Sequence, residues 1–168
     1  MSDSPRAHIV HVGIGSNVER ELNIRSGVAA LRQHFGEVAV SPVYESAAVG
    51  FDGDPFYNLV AHFSTDSSID ALGAVLRQIE DQHQRDRTLP SFSPRTLDID
   101  LLLYGDVVLQ RGKLQLPRGE ITRHAFVLRP LAELSGDLVH PLQGISFSAM
   151  WQQFDQRAQP LTAVSFEW

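Results

Sequence analysis

The chain has 168 residues, 43% apolar and 20% charged, with a formal net charge of −6 and no cysteine. That length suits one domain over residues 1–168 with a buried core, and the missing cysteines exclude disulfides, thiolate metal sites and cysteine nucleophiles. The acidic balance argues against a nucleic-acid partner, because phosphate backbones want a basic face.

The opening MSDSPRAHIV is too polar and short for a secretory signal, and no apolar run reaches the roughly 20 residues of a membrane span. A cytoplasmic protein with no membrane partner is expected. Residues 8–15 (HIVHVGIG) form a β-branched run ending in glycines, the mark of a strand. Over residues 19–35 the apolar positions Ile24, Val28, Leu31 and Phe35 recur at helical spacing, and Gly36 suits a C-cap. Residues 37–44 read as a second strand, with Pro42 marking an edge or a strand end. Residues 45–55 (ESAAVGFDGDP) are a loop. Residues 56–64 alternate, with Tyr57, Leu59, Ala61 and Phe63 on one side. Ser67 or Ser68 then caps a helix whose stripe is Ile69, Leu72, Leu76, Ile79 and His83.

Residues 84–93 (QRDRTLPSFS) lack periodicity and read as a long loop, and PRTLDIDLLLYG follows as a strand. The order strand, helix, strand, strand, helix, strand predicts an α+β, ferredoxin-like βαββαβ antiparallel sheet with helices packed on it. C-terminal additions follow: a hairpin over 107–116 turning at Arg111-Gly112, a helix over 122–134 and another over 146–154.

Asp98 and Asp100 stand one residue apart in the most apolar stretch. On a strand they share a face, while Leu97, Ile99, Leu101 and Leu103 take the other. This pattern reads as a central strand with two acids projecting into a cleft. Adjacent carboxylates raise each other's pKa unless a positive charge lies between them. Two hard oxygen ligands without His or Cys beside them favour Mg²⁺ or Mn²⁺ over zinc, and Arg85, Arg87 and Arg95 in and around the preceding loop suit phosphate oxygens. The alternative is a half-exposed strand carrying two solvated acids. GIGSN at residues 13–17 lacks the Lys-Ser/Thr of a phosphate-binding loop and reads as a tight turn.

PRTLDIDLLLYG strongly resembles the signature of the 6-hydroxymethyl-7,8-dihydropterin pyrophosphokinase family. GIGSN, the Y-x-S-x-x-x-G stretch at 44–50, FYNLV at 56–60, I-E-x-x-x-x-R at 79–85 and A-F-V-L-x-P-L at 125–131 extend the likeness over most of the chain. The resemblance implies transfer of pyrophosphate from ATP to a pterin hydroxymethyl group, releasing AMP, in folate biosynthesis. It also implies two Mg²⁺ ions held by Asp98 and Asp100. Arg85 and Arg95 join that pair as catalytic residues. Glu80, Arg87, Ile99, Lys113, Arg118 and Arg123 complete an ATP set with Arg85 and Arg95. The pterin set implied is Ser46, Ala47, Val49, Phe56, Asn58, Phe92, Asp98 and Phe126. ATP and hydroxymethyldihydropterin are the partners expected, with the chain a monomer.

The chain departs from the family pattern in places. Ser91-Phe92-Ser93 stands for the usual R-W-G, Arg118 follows Pro117 where a histidine is common, and His124 occupies a position usually held by arginine. Ala47 and Ala48 stand where prolines are often seen. The alternative reading is a divergent relative that keeps the fold and pterin pocket but takes another substrate or only binds ligand.

Overall fold

A computed structural model describes residues 7–48, 53–83 and 96–168. The first apolar run forms β1 (His8–Ser16), and it continues straight through the glycines read as a turn. Val10, Val12 and Ile14 are buried on one face. The helix α1 (Arg20–Phe35) buries Ile24, Val28 and Leu31, and Gly36 ends it with φ of 83°. That left-handed backbone is one that glycine adopts without strain.

The second predicted strand is two short ones, β2 (Ala39–Val40) and β3 (Val43–Ser46), separated by Ser41-Pro42. Both pair with β4 (Phe56–Thr65). Pro42 has no N–H for a ladder, and Ser41 bridges the break: its Oγ accepts from Val60 N at 2.9 Å and its own N donates to Val60 O at 2.8 Å. The helix α2 (Ile69–Gln82) starts at Ser68, whose hydroxyl accepts from Ala71 N at 3.1 Å.

The aspartate strand is β5 (Asp98–Tyr104). All pairings in the six-stranded sheet are antiparallel. The order is β5-β1-β4-β3-β8, with β8 (Thr162–Val164) added by the C-terminal tail and β2 also on β4. The strand read as central therefore lies at the sheet's edge, paired with β1. Its alternation also breaks. His11 faces Leu103 and Val12 faces Leu101, so Leu102 is an extra residue in a β-bulge. Leu97, Ile99 and Leu101 stay in the core beneath the α1/α2 face. Beyond the bulge Leu103 joins Leu102 in the core on the opposite face, and Tyr104 returns to the first. The expectation that Leu103 shares a face with Ile99 is corrected by that one inserted residue.

A hairpin of β6 (Leu109–Arg111) and β7 (Leu114–Leu116) follows, turning at Gly112-Lys113. The predicted 122–134 helix is two, α3 (Glu120–Arg123) and α4 (Ala125–Ser135), broken where His124 turns extended at φ −120°, ψ 123°. With α5 (Phe147–Gln153), α4 covers the second face of the sheet around Val60, Leu102 and Leu103. The sheet thus carries helices on both faces.

Candidate active site

The second face is left open where β5 starts and β1 ends. The register there runs Asp98–Gly15–Asn58–Tyr44 across four strands, with Asp100–Gly13–Val60 the next such row. Residues in register share a face, so both aspartates project from the same surface as Asn58 and Ser46. Gly15 leaves the strip between Asp98 and Asn58 without a side chain, a gap of two strand spacings or about 10 Å. A Cβ built on Gly15 would lie 2.8 Å from Asn58 Oδ1 and 3.6 Å from the Phe56 ring.

Asn58 is buried and fixed, its Nδ2 donating to Ser46 Oγ at 2.7 Å. Its Oδ1 therefore lies over Gly15 and faces the strip. At the other side, burial and the charge of Asp98 push the Asp100 carboxyl up to about 7, against the opposing pull of Arg118. The Asp100 side chain is nevertheless 41% exposed, so solutes reach it. Glu80, on α2, is buried, and its Oε2 accepts from Ile99 N at 2.9 Å. The outward-facing N–H between the two aspartates is thus satisfied, and the edge strand is held straight where the acids emerge.

Arg118 enters from the segment after β7. Its backbone N donates to Leu102 O at 3.0 Å, tying it to β5. Its guanidinium lies 3.6 Å from Asp100 Oδ1 and 2.6 Å from Glu120 Oε2. Phe126, in the first turn of α4, packs partly against the second core and stacks on His124, with centroids 4.9 Å apart and planes at 16°. Burial lowers the His124 pKa, which favours the neutral ring that stacks there.

The structure thus gathers Asp98, Asp100, Ser46, Asn58 and Phe56 on one face, with Glu80, Ile99 and Arg118 at its β5 side. Ala47 is exposed just beyond β3. Lys113 is exposed at the hairpin turn, and Arg123 pairs with Glu120 at 3.2 Å. Val49, Arg85, Arg87, Phe92 and Arg95 lie outside the described residues, as does the Ser91–Ser93 departure. Three contributors were not legible beforehand. Gly15 was hidden by the turn reading, although a glycine inside a strand pattern flags a close approach. Glu120, which holds Arg118, and Gln159 carry no local signal. The Gln159 amide accepts from Ala125 N at 2.9 Å and donates to Arg123 O at 2.8 Å, capping α4 from the distant tail.

A divalent ion suits this donor set. Two carboxylates on one face, one of them unwilling to ionise beside the other, call for a hard cation between them. No cluster of three or more acidic or histidine ligands occurs among the described residues. Mg²⁺ commonly takes one or two protein carboxylates and fills its other positions with water and substrate oxygens.

The sequence model described as 7,8-dihydro-6-hydroxymethylpterin-pyrophosphokinase matches residues 11–136. A 2-amino-4-hydroxy-6-hydroxymethyldihydropteridine pyrophosphokinase of Pseudomonas aeruginosa is 39% identical over 137 residues, covering 79% of this chain and 83% of that protein. The protein of the same name from Bacillus subtilis is 34% identical over 131 residues, covering 76% and 78%. The folic acid synthesis protein fol1 of Pneumocystis carinii is 29% identical over 147 residues, 86% of this chain but only 20% of that longer protein. A solved Plasmodium falciparum HPPK-DHPS chain with pteroate superposes with a TM-score of 0.72 at 12% identity, a likeness of fold that spans 94% of this chain and 44% of that one. The aspartate row, its glycine floor and the fixed asparagine stand within the matched span, and the chain belongs to the 7,8-dihydro-6-hydroxymethylpterin-pyrophosphokinase family.

Proposed function

We propose that this chain, as one domain on a ferredoxin-like plan, transfers pyrophosphate from ATP to the hydroxymethyl group of 6-hydroxymethyl-7,8-dihydropterin, giving AMP and the pterin diphosphate. The observation that carries the reading is the row Asp98–Gly15–Asn58, with acids at one end, a fixed amide at the other and between them a glycine over which the amide oxygen lies. A flat heterocycle with a polar edge fits such a strip. Asn58 Oδ1 accepts from the ring's amino and ring N–H groups, with the Ser46 bond keeping the amide from turning. Phe56 and Phe126 supply apolar faces, with Ala47 beside Ser46, and Val49 and Phe92 join the pterin set by their sequence positions.

The pterin hydroxyl must then approach the β-phosphorus in line with the bond that leaves with AMP. Phosphoryl-type transfer asks the protein mainly for position and charge neutralisation. Asp98 and Asp100 would hold two Mg²⁺ ions. When bound, those ions neutralise charge on the transferring oxygens and on the leaving phosphate. Arg85, Arg87 and Arg95 supply guanidinium groups for the phosphates by their sequence positions, joined by Arg118, Arg123 and Lys113. Glu80 acts through Ile99, keeping β5 straight beneath the nucleotide.

The test is AMP release from ATP in the presence of hydroxymethyldihydropterin and Mg²⁺. AMP should form only with all three present. Asp98→Asn and Asp100→Asn should each cut turnover about a thousandfold or more, the several kcal/mol that metal charge supplies. Ligand binding with no AMP released would replace this reading with a binding role. Full activity in either aspartate variant would remove the metal assignment.

A further inference from the structure

We infer that Arg118 is a resident counter-cation of the aspartate pair, displaced by the divalent ion and carried over to the triphosphate. The inference rests on the metal reading proposed above. Asp98 and Asp100 share a face on one edge strand, an arrangement that needs positive charge nearby whether or not a metal is present. Arg118 provides it. The guanidinium is held unevenly: one side sits 2.6 Å from Glu120 Oε2, while Nη2 stands 3.6 Å from Asp100 Oδ1. The first is a close ion pair, though Nε makes no hydrogen bond among the described residues, and the second is a longer one beyond hydrogen-bond reach. The residue's backbone is meanwhile bonded to Leu102 O of β5 itself, at 3.0 Å. The anchor keeps the group beside the acids, and the loose end can turn.

A guanidinium cannot shed its charge and presents a fork of donors that matches phosphate oxygens. A divalent ion entering against Asp100 repels the loose end, and the oxygens of a nucleotide arriving with the metal offer it a new partner. Two consequences follow. Metal alone binds against the competition of Arg118. Metal and nucleotide together bind cooperatively, because the displaced arginine gains the phosphates. By linkage the coupling is mutual: each ligand tightens the other by the same factor.

The experiment is calorimetric titration of Mn²⁺ into wild type, Arg118→Gln, Arg118→Lys and Asp100→Asn at one low ionic strength, with and without a non-hydrolysable ATP analogue. Circular dichroism would check that each variant is folded. Arg118→Gln should bind Mn²⁺ alone about fivefold more tightly, the upper range for a partly exposed pair. Its enhancement of Mn²⁺ affinity by the analogue should shrink by at least the same factor. Arg118→Lys keeps the charge and should stay near wild type for Mn²⁺ alone. An unchanged or weaker Mn²⁺ affinity in Arg118→Gln, with binding still lost in Asp100→Asn, overturns the role of Arg118 and leaves the metal reading standing. Mn²⁺ binding that ignores Asp100→Asn overturns both.

Discussion

Gly15 lies between Asp98 and Asn58, and the strip is open because this residue has no side chain. Asn58 cannot yield to a methyl group cheaply, since its Nδ2 is held by Ser46 Oγ at 2.7 Å and a Cβ on Gly15 would meet its Oδ1 at 2.8 Å. Gly15→Ala should therefore push the amide aside. The expected result is a fall in kcat/KM for the pterin of about ten- to a hundredfold, the cost of misplacing a positioning group by part of an ångström or more. Nucleotide affinity should hold. Steady-state kinetics with each substrate varied in turn would check this, and an unchanged kcat/KM for the pterin would show that the ring sits elsewhere. The aspartates were legible because i and i+2 on a strand must share a face. Gly15 was hidden by the turn reading: a glycine in a strand flags a close approach, but what approaches it, Asn58 on one side and Asp98 on the other, lies on neighbouring strands. Arg118 was legible as a cation for phosphate, but its pairing with Asp100 depends on the β7–α3 connection lying against β5.

At the scale of elements, β5 is an edge strand that carries the chemistry, and an edge is where backbone pairing is weakest. Leu97, Ile99 and Leu101 anchor it from beneath, while the bulge at Leu102 turns its second half to the other core. The side chain of Glu80 completes the outer edge at Ile99 N. Glu80→Ala leaves that buried donor without this acceptor and should cost about 1–3 kcal/mol. Glu80→Gln keeps an acceptor oxygen and should cost less. Amide hydrogen exchange would report it: protection at Ile99 should drop sharply in the alanine variant and only partly in the glutamine variant, while β1 and β4 amides shift merely with global stability. Equal protection in all three proteins would rule out this role. Helix periodicity and strand alternation gave most elements within a few residues. The failures share a cause. The β2/β3 break at Ser41-Pro42, the α3/α4 break at His124 and the bulge each depend on a single residue leaving the regular period, and β8 is too short to show one.

At the scale of the molecule, one sheet separates two apolar cores, and His11 sits in the second. It is 1% exposed on β1, its Nε2 lies 2.9 Å from Ser135 Oγ of α4, and the His62 ring of β4 is 5.3 Å away. Its Nδ1 has no hydrogen-bond partner among the described residues. Burial, reinforced by His62, lowers its pKa to about 4 from 6.5. In the unfolded chain the same ring takes a proton near 6.5, so as pH falls the unfolded state is stabilised first. The contribution of His11 is complete above about 6.5 and is lost progressively down to about 4, below which both states carry the proton. Asp100, raised to about 7, has the opposite slope: its folded form holds a proton that the unfolded chain has released. The net curve therefore mixes the two, and a difference between proteins isolates one. Urea unfolding of wild type should lose about 2 kcal/mol more than His11→Leu between pH 7.5 and pH 5. The leucine variant has no ring to protonate, and Asp100 contributes equally to both. Parallel curves for the two proteins would mean that His11 takes its proton in the folded state as readily as in the unfolded chain, and that its burial against Ser135 and His62 does not hold the ring neutral.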